Sequence, residues 1–141
     1  MNWYRLSRGA APSTDSSADF GSTAQLPAKP GASLPHRPVF VGDTETGVLH
    51  GGVVTAMLDE SCGMAVQLAL DGMRAIATLD LRIDYPKPAT PGLDIKAHSV
   101  CYRVTRSIAF VRATAYQESE DDPVATATVM LHGWREPDQH A

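Results

Sequence analysis

The chain has 141 residues, with 12 Lys+Arg against 16 Asp+Glu, a formal net charge of −4, and 43% hydrophobic and 20% charged residues. That length suits one domain able to bury roughly 68–70% of its unfolded surface, so no disulfide or metal staple is required. Mild acidity excludes a bulk nucleic-acid binder, which needs a basic face to displace counterions, yet leaves room for a small anionic ligand.

In chain order, residues 1–38 come first and are rich in Ser, Ala, Pro and Gly. Such a stretch buries too little apolar surface to offset its ordering entropy, and it reads as a mobile or loosely docked arm. Trp3, Tyr4 and Phe20 are its candidate anchors. The start of the chain lacks the apolar core of a signal peptide. No apolar run free of charges reaches the ~18–20 residues of a membrane span. The expectation is a cytoplasmic protein with no membrane partner.

A domain is expected over residues 39–135. Gly51 to Leu70 carries apolar residues on nearly every side, which predicts a helix buried all round, ended by Asp71-Gly72. Cys62 within it and Cys101 beyond it show no Cys-x-x-Cys or Cys/His spacing, which argues against zinc. Both thiols are expected reduced, Cys62 as a packed core residue.

Leu79 to Tyr85 alternates apolar and charged residues, which predicts a half-buried strand, broken by Pro86, Pro88, Pro91 and Gly92. Further strands are expected from about Leu93 to Val104, Ser107 to Gln117 and Val124 to Trp134, with Glu118 to Pro123 as a polar turn. Residues 136–141 form a tail. One buried helix followed by strands joined by short turns implies an α+β layout, an antiparallel sheet curling round the helix. The third of these strands is apolar on both faces, which points to a second subunit covering the outer one.

Two features carry chemistry. Asp59 and Glu60 stand in the middle of the helix, where an acid either meets an arginine such as Arg82 or Arg106 or lines a cleft. His50-Gly51-Gly52 opens the helix, where free N–H groups favour an anion or a developing oxyanion. Asp59 lies eight residues past Gly51, about 12 Å along the axis, so the two cannot serve one carbonyl within a single chain. If both act in one reaction, the acid comes from a second copy across a two-fold.

His50-Gly51-Gly52 with Asp59 nine positions after the His, then Gly63, resembles hot-dog-fold acyl-CoA thioesterases of the phenylacetate-degradation type. So do the loop Gly42 to Leu49, the strand end Ile83-Asp84-Tyr85 and the segment Thr105-Arg106-Ser107-Ile108-Ala109-Phe110, over about residues 39–134. The resemblance implies a hot-dog fold, an antiparallel sheet wrapped around one long buried helix. It implies hydrolysis of a small acyl- or aryl-CoA to free acid and coenzyme A, without metal or organic cofactor.

The resemblance also assigns roles. The Gly51 amide would hold the oxyanion, and Asp59 of a partner subunit would be general base or nucleophile. Thr78 would help position the water, and His50, next to Gly52, would shape the loop. Thr44 falls where many relatives have an Asn or Gln that helps bind the carbonyl, and its hydroxyl offers a single donor. Asp43 is a possible replacement at that contact. Arg103 and Arg106, with Ser107 beside them, are candidates for the coenzyme A phosphates. The expected assembly is a homodimer or dimer of dimers sharing its sites. A second reading, favoured by Thr44, is an acyl-CoA-binding or regulatory module without turnover; a hydratase is less suited, since no His–acid pair of that kind is present.

Overall fold

A computed structural model describes residues 30–70 and 72–133. A short strand β1 (Gly31–Leu34) is followed by a 3₁₀ turn, a small hairpin β2 (Val41–Asp43) and β3 (Val48–Leu49), and the helix α1 (Gly51–Ala69). Four long strands then complete the fold: β4 (Ile76–Asp84), β5 (Ile95–Val104), β6 (Ile108–Tyr116) and β7 (Ala125–Gly133). The main sheet has the order β1-β5-β6-β7-β4, and every pairing in it is antiparallel.

The helix lies mainly over β5 and β6. Small side chains let it sit close: Ala97, Ala109, Ala113, Ala115 and Ala127 are all buried on the strands' inner face. Against them α1 turns Val54, Met57, Leu58, Ser61, Cys62, Ala65 and Val66, a stripe with the three-to-four spacing of one helix face. The other face, with Gly52, Ala56 and Glu60, is exposed in the single chain. The expectation of a helix buried all round is therefore corrected. Alanine, valine and glycine on the open side made it look apolar, but nothing among the described residues covers them.

Within this core two polar side chains meet. Ser61 and Ser99, both nearly inaccessible, share a hydrogen bond of 2.5 Å between helix and β5. The Cys62 thiol lies 4.0 Å from the Ser99 hydroxyl, and burial pushes its pKa up to about 12.

The low-complexity arm is also corrected in part. Gly31–Leu34 pairs with β5, Gly31 opposite His98 and Leu34 opposite Ile95, and Leu34 is only 1% exposed. The sheet edge supplied what composition did not, hydrogen-bond partners and an apolar floor. Trp3, Tyr4, Phe20, Trp134 and the tail lie outside the described residues. The long strands begin and end within a few residues of their expected positions, except that β4 starts earlier, at Ile76.

Two bulges interrupt the ladders, one between Thr78 and Asp80 in β4 and one between Cys101 and Arg103 in β5. The first leaves Leu79 as the extra residue, 56% exposed on an edge strand, rather than on the core face that alternation assigns it. On the sheet's outer surface the Arg112 guanidinium stacks 4.6 Å from the Tyr102 ring, and that ring is 6.3 Å from Phe110. Among the described residues, no helix is long and apolar enough to cross a membrane.

Candidate active site

The helix start is built by its neighbours in sequence. His50 is the N-cap, and its Nδ1 accepts the Gly52 N–H at 2.9 Å while its carbonyl accepts the Val53 N–H. An acceptor at Nδ1 leaves Nε2 as the protonated nitrogen of the neutral ring. Gly52 is required here, because a Cβ would lie 2.9 Å from Nδ1. Gly42 is required too: its Cβ would come within 2.9 Å of the His50 Cα, so the β2 strand can pass the cap only without a side chain. The Gly51 N–H meets no acceptor among the described residues, as expected of the first amide of a helix.

A second brace comes from the end of β4. Tyr85 donates its hydroxyl to the Gly51 carbonyl at 2.8 Å, and the Thr55 hydroxyl stands 2.8 Å from the Tyr85 oxygen and 3.0 Å from the same carbonyl. Sequence reading placed Tyr85 at a strand end but gave it no role. Its link to the helix spans 34 residues and leaves no local signal. Around this helix start runs a groove of about 310 Å³, floored by Leu49, Val54 and Val124 and rimmed by Tyr85 and Lys87.

Asp59 lies elsewhere. It lines a second groove of about 290 Å³ with Glu60, Gly63, Met64, Gln67, Met73, Ile76 and Thr78. Thr78 donates its hydroxyl to Asp59 Oδ1 at 2.7 Å, joining the start of β4 to the middle of the helix. Thr78 and Asp59, both candidates from the sequence, thus meet in one groove. Of the two alternatives for the helix acids, neither meets an arginine among the described residues: Arg82 pairs with Asp84 at 3.2 Å, both on the exposed side of β4. Gly51 and Asp59 open on different grooves, in keeping with their separation along the axis.

The remaining assigned residues fall in two places. Thr44 lies in the exposed turn between β2 and β3. Neighbouring Asp43 holds that turn, accepting from the Thr46 hydroxyl at 2.6 Å and the Glu45 N–H at 3.0 Å. The Thr46 bond, then the backbone bond from Glu45, hold its carboxyl below the ordinary value. Both Asp43 carboxylate oxygens thus hold the turn beside Thr44. Arg103, Arg106 and Ser107 lie on the exposed β5–β6 hairpin. Ser107 accepts from Gly133, which pairs with Ile76, so the hairpin is at the sheet end where the Asp59 groove begins. Among the described residues no group of three or more His, Cys, Asp and Glu side chains could hold a metal ion.

The model of the thioesterase superfamily matches residues 46–124, which include His50, Gly51, Asp59 and Thr78. The medium/long-chain acyl-CoA thioesterase YigI of Escherichia coli K12 is 29% identical over 110 residues, 68% of this chain and 70% of the relative. A Pseudomonas aeruginosa protein of known crystal structure is 36% identical with a TM-score of 0.68, over 76% of this chain and 78% of that one. A phenylacetic acid degradation-related protein from Ralstonia eutropha JMP134 is 25% identical with a TM-score of 0.64, over 74% and 75%. The helix laid in an antiparallel sheet is the hot-dog fold, and this chain, a thioester hydrolase, belongs to the thioesterase superfamily.

Proposed function

We propose that the chain hydrolyses acyl-CoA thioesters at a site shared by two copies. The observation that carries this reading is the Thr78–Asp59 hydrogen bond, which holds a helix carboxylate in a groove apart from the one at the helix start. The donor is the Gly51 amide, held in place by His50 and Tyr85 at the other groove. Two antiparallel helices across a two-fold bring one copy's Gly51 to the other's Asp59.

In such a site the thioester carbonyl oxygen points at the Gly51 N–H, where helix dipole and amide stabilise the charge that builds as the carbonyl is attacked. Asp59 removes the proton of the attacking water, or attacks the carbonyl itself to give an anhydride that water then opens. Collapse of the tetrahedral intermediate breaks the C–S bond: in the first route the proton held on Asp59 passes to the leaving thiolate, and in the second the thiolate leaves as the anhydride forms and takes its proton from solvent. Thr78 fixes the carboxylate through Oδ1 and leaves Oδ2 for the reacting atoms. The apolar floor of the Gly51 groove suits the acyl group. The Escherichia coli relative, a medium/long-chain acyl-CoA thioesterase, supports this substrate class.

The test is thiol release from short, medium, long and aromatic acyl-CoAs by wild type and Asp59→Asn side by side. Loss of the carboxylate is expected to lower kcat by at least ~10²-fold, the usual contribution of a general base. No release by wild type from any acyl-CoA, with coenzyme A still bound, would leave a binding module in place of an enzyme.

A further inference from the structure

The loop between α1 and β4 carries an arginine that none of the roles above uses. The Gln67 side chain clamps Arg74 from both sides: its Nε2 donates to the Arg74 carbonyl at 2.7 Å, and its Oε1 accepts the Arg74 N–H at 2.8 Å. This two-bond clamp fixes the loop backbone against the helix at the rim of the Asp59 groove, since Gln67, Met73 and Ile76 all line it. The guanidinium itself is exposed and meets no carboxylate among the described residues. We propose that Arg74 binds the phosphates at the nucleotide end of the coenzyme A thioester, an inference that rests on the acyl-CoA reading above.

Length supports it. Between sulfur and the first phosphate, the pantetheine arm has about as many bonds as four residues of backbone, ~14 Å when extended. Gln67 lies eight residues beyond Asp59, about 12 Å farther along the helix. A thioester reacting beside Asp59 and running toward the helix C-terminus therefore delivers its phosphates at the level where Arg74 is clamped.

Charge selects that direction. The opposite end of the sheet carries Glu118, Glu120, Asp121 and Asp122 in one turn, with Asp94 close to the start of β5, and Lys87 there is already paired with Asp122. A polyanion is repelled from it. The end where β4 begins carries Arg74, Arg103 and Arg106, all exposed. The helix C-terminus is itself the negative end of the helix dipole, so a phosphate placed there depends on a cation at close range. A structural role for Arg74 as a helix-end cation would act on folding, not on the nucleotide.

Calorimetric titration of the full chain with coenzyme A and with pantetheine, which lacks the nucleotide, separates these roles. Arg74→Ala is expected to weaken coenzyme A about tenfold, the loss of one charge-assisted contact at an exposed site, and to change pantetheine binding less than twofold. In turnover the KM for acyl-CoA rises about tenfold while kcat moves less than twofold. Arg74→Lys keeps most of the affinity, and Arg82→Ala, which removes the same charge elsewhere, keeps all of it. Equal losses for coenzyme A and pantetheine, or none for either, would overturn the assignment. Wild type that binds coenzyme A yet releases no thiol refutes the catalytic reading, while the Arg74 comparison still decides this one.

Discussion

Thr78→Val is the sharpest perturbation of the site, because valine keeps the shape of threonine and removes only the hydroxyl that donates to Asp59 Oδ1 at 2.7 Å. A hydrogen bond to a charged group contributes about 1.5–3 kcal/mol, and this pair stands at an open groove, which favours the lower end. If that bond holds the carboxylate in its reactive position, kcat falls about tenfold, since ~1.4 kcal/mol is one decade in rate. The effect should fall on kcat with KM little changed, because neither atom touches the coenzyme A arm. The assay is steady-state thiol release by wild type, Thr78→Val, Asp59→Asn and the double variant. Coupling predicts that Thr78→Val costs little once Asp59 is already Asn. Two losses that simply multiply, or a Thr78→Val enzyme with wild-type kcat, would show that the bond does not serve catalysis.

Gly52→Ala places a methyl 2.9 Å from His50 Nδ1 and breaks the helix cap, which should destabilise the fold by ~1 kcal/mol and lower Tm by roughly 4 °C in calorimetry. Tyr85→Phe removes the bond to the Gly51 carbonyl and should cut kcat severalfold, for about 1 kcal/mol, with the Tm nearly unchanged; an unaltered kcat would dismiss the brace. Cys62, with its pKa pushed to about 12 by burial, has only about one molecule in ten thousand as thiolate at pH 8. A chromogenic thiol reagent should therefore find neither Cys62 nor the buried, likewise raised Cys101 in native protein, and both after denaturation; labelling of native protein within minutes would contradict the packing.

Elements with one dominant period were legible in the sequence, and Asp59 and Thr78 were each singled out through a family pattern, though the hydrogen bond between them was not. Burial alternates along β5, β6 and β7, as packing on one face imposes. β1 was not legible, because the alternation of Gly-Ala-Ser-Leu is only four residues long and owes its order to a partner strand more than sixty residues away. Leu79 misled for a related reason: a bulge slips the side-chain alternation by one, and nothing in the local sequence announces it. The open face of the helix was hidden by alanines and glycines, which are apolar on any scale yet too small to demand cover. Gln67 and Arg74 are ordinary surface types, and only the turn between helix and strand brings the amide onto the loop backbone.

The hydrogen bond between Ser61 and Ser99 has a geometric consequence for the whole site. Successive helix residues turn by about 100°, so Ser61 and Asp59 point to sides of α1 roughly 200° apart. Seating the Ser61 hydroxyl on β5 therefore fixes the helix in rotation and sends the Asp59 carboxylate away from the core, toward Thr78. Slippage by one residue would bring Cys62 or Glu60 in place of Ser61 at that contact and swing the carboxylate off its groove. An all-apolar seam tolerates such rotation at small cost, whereas a hydroxyl pair is satisfied at a single setting. In this core the polar contact works as an index mark for aim, and its worth should be sought in catalytic precision more than in melting temperature.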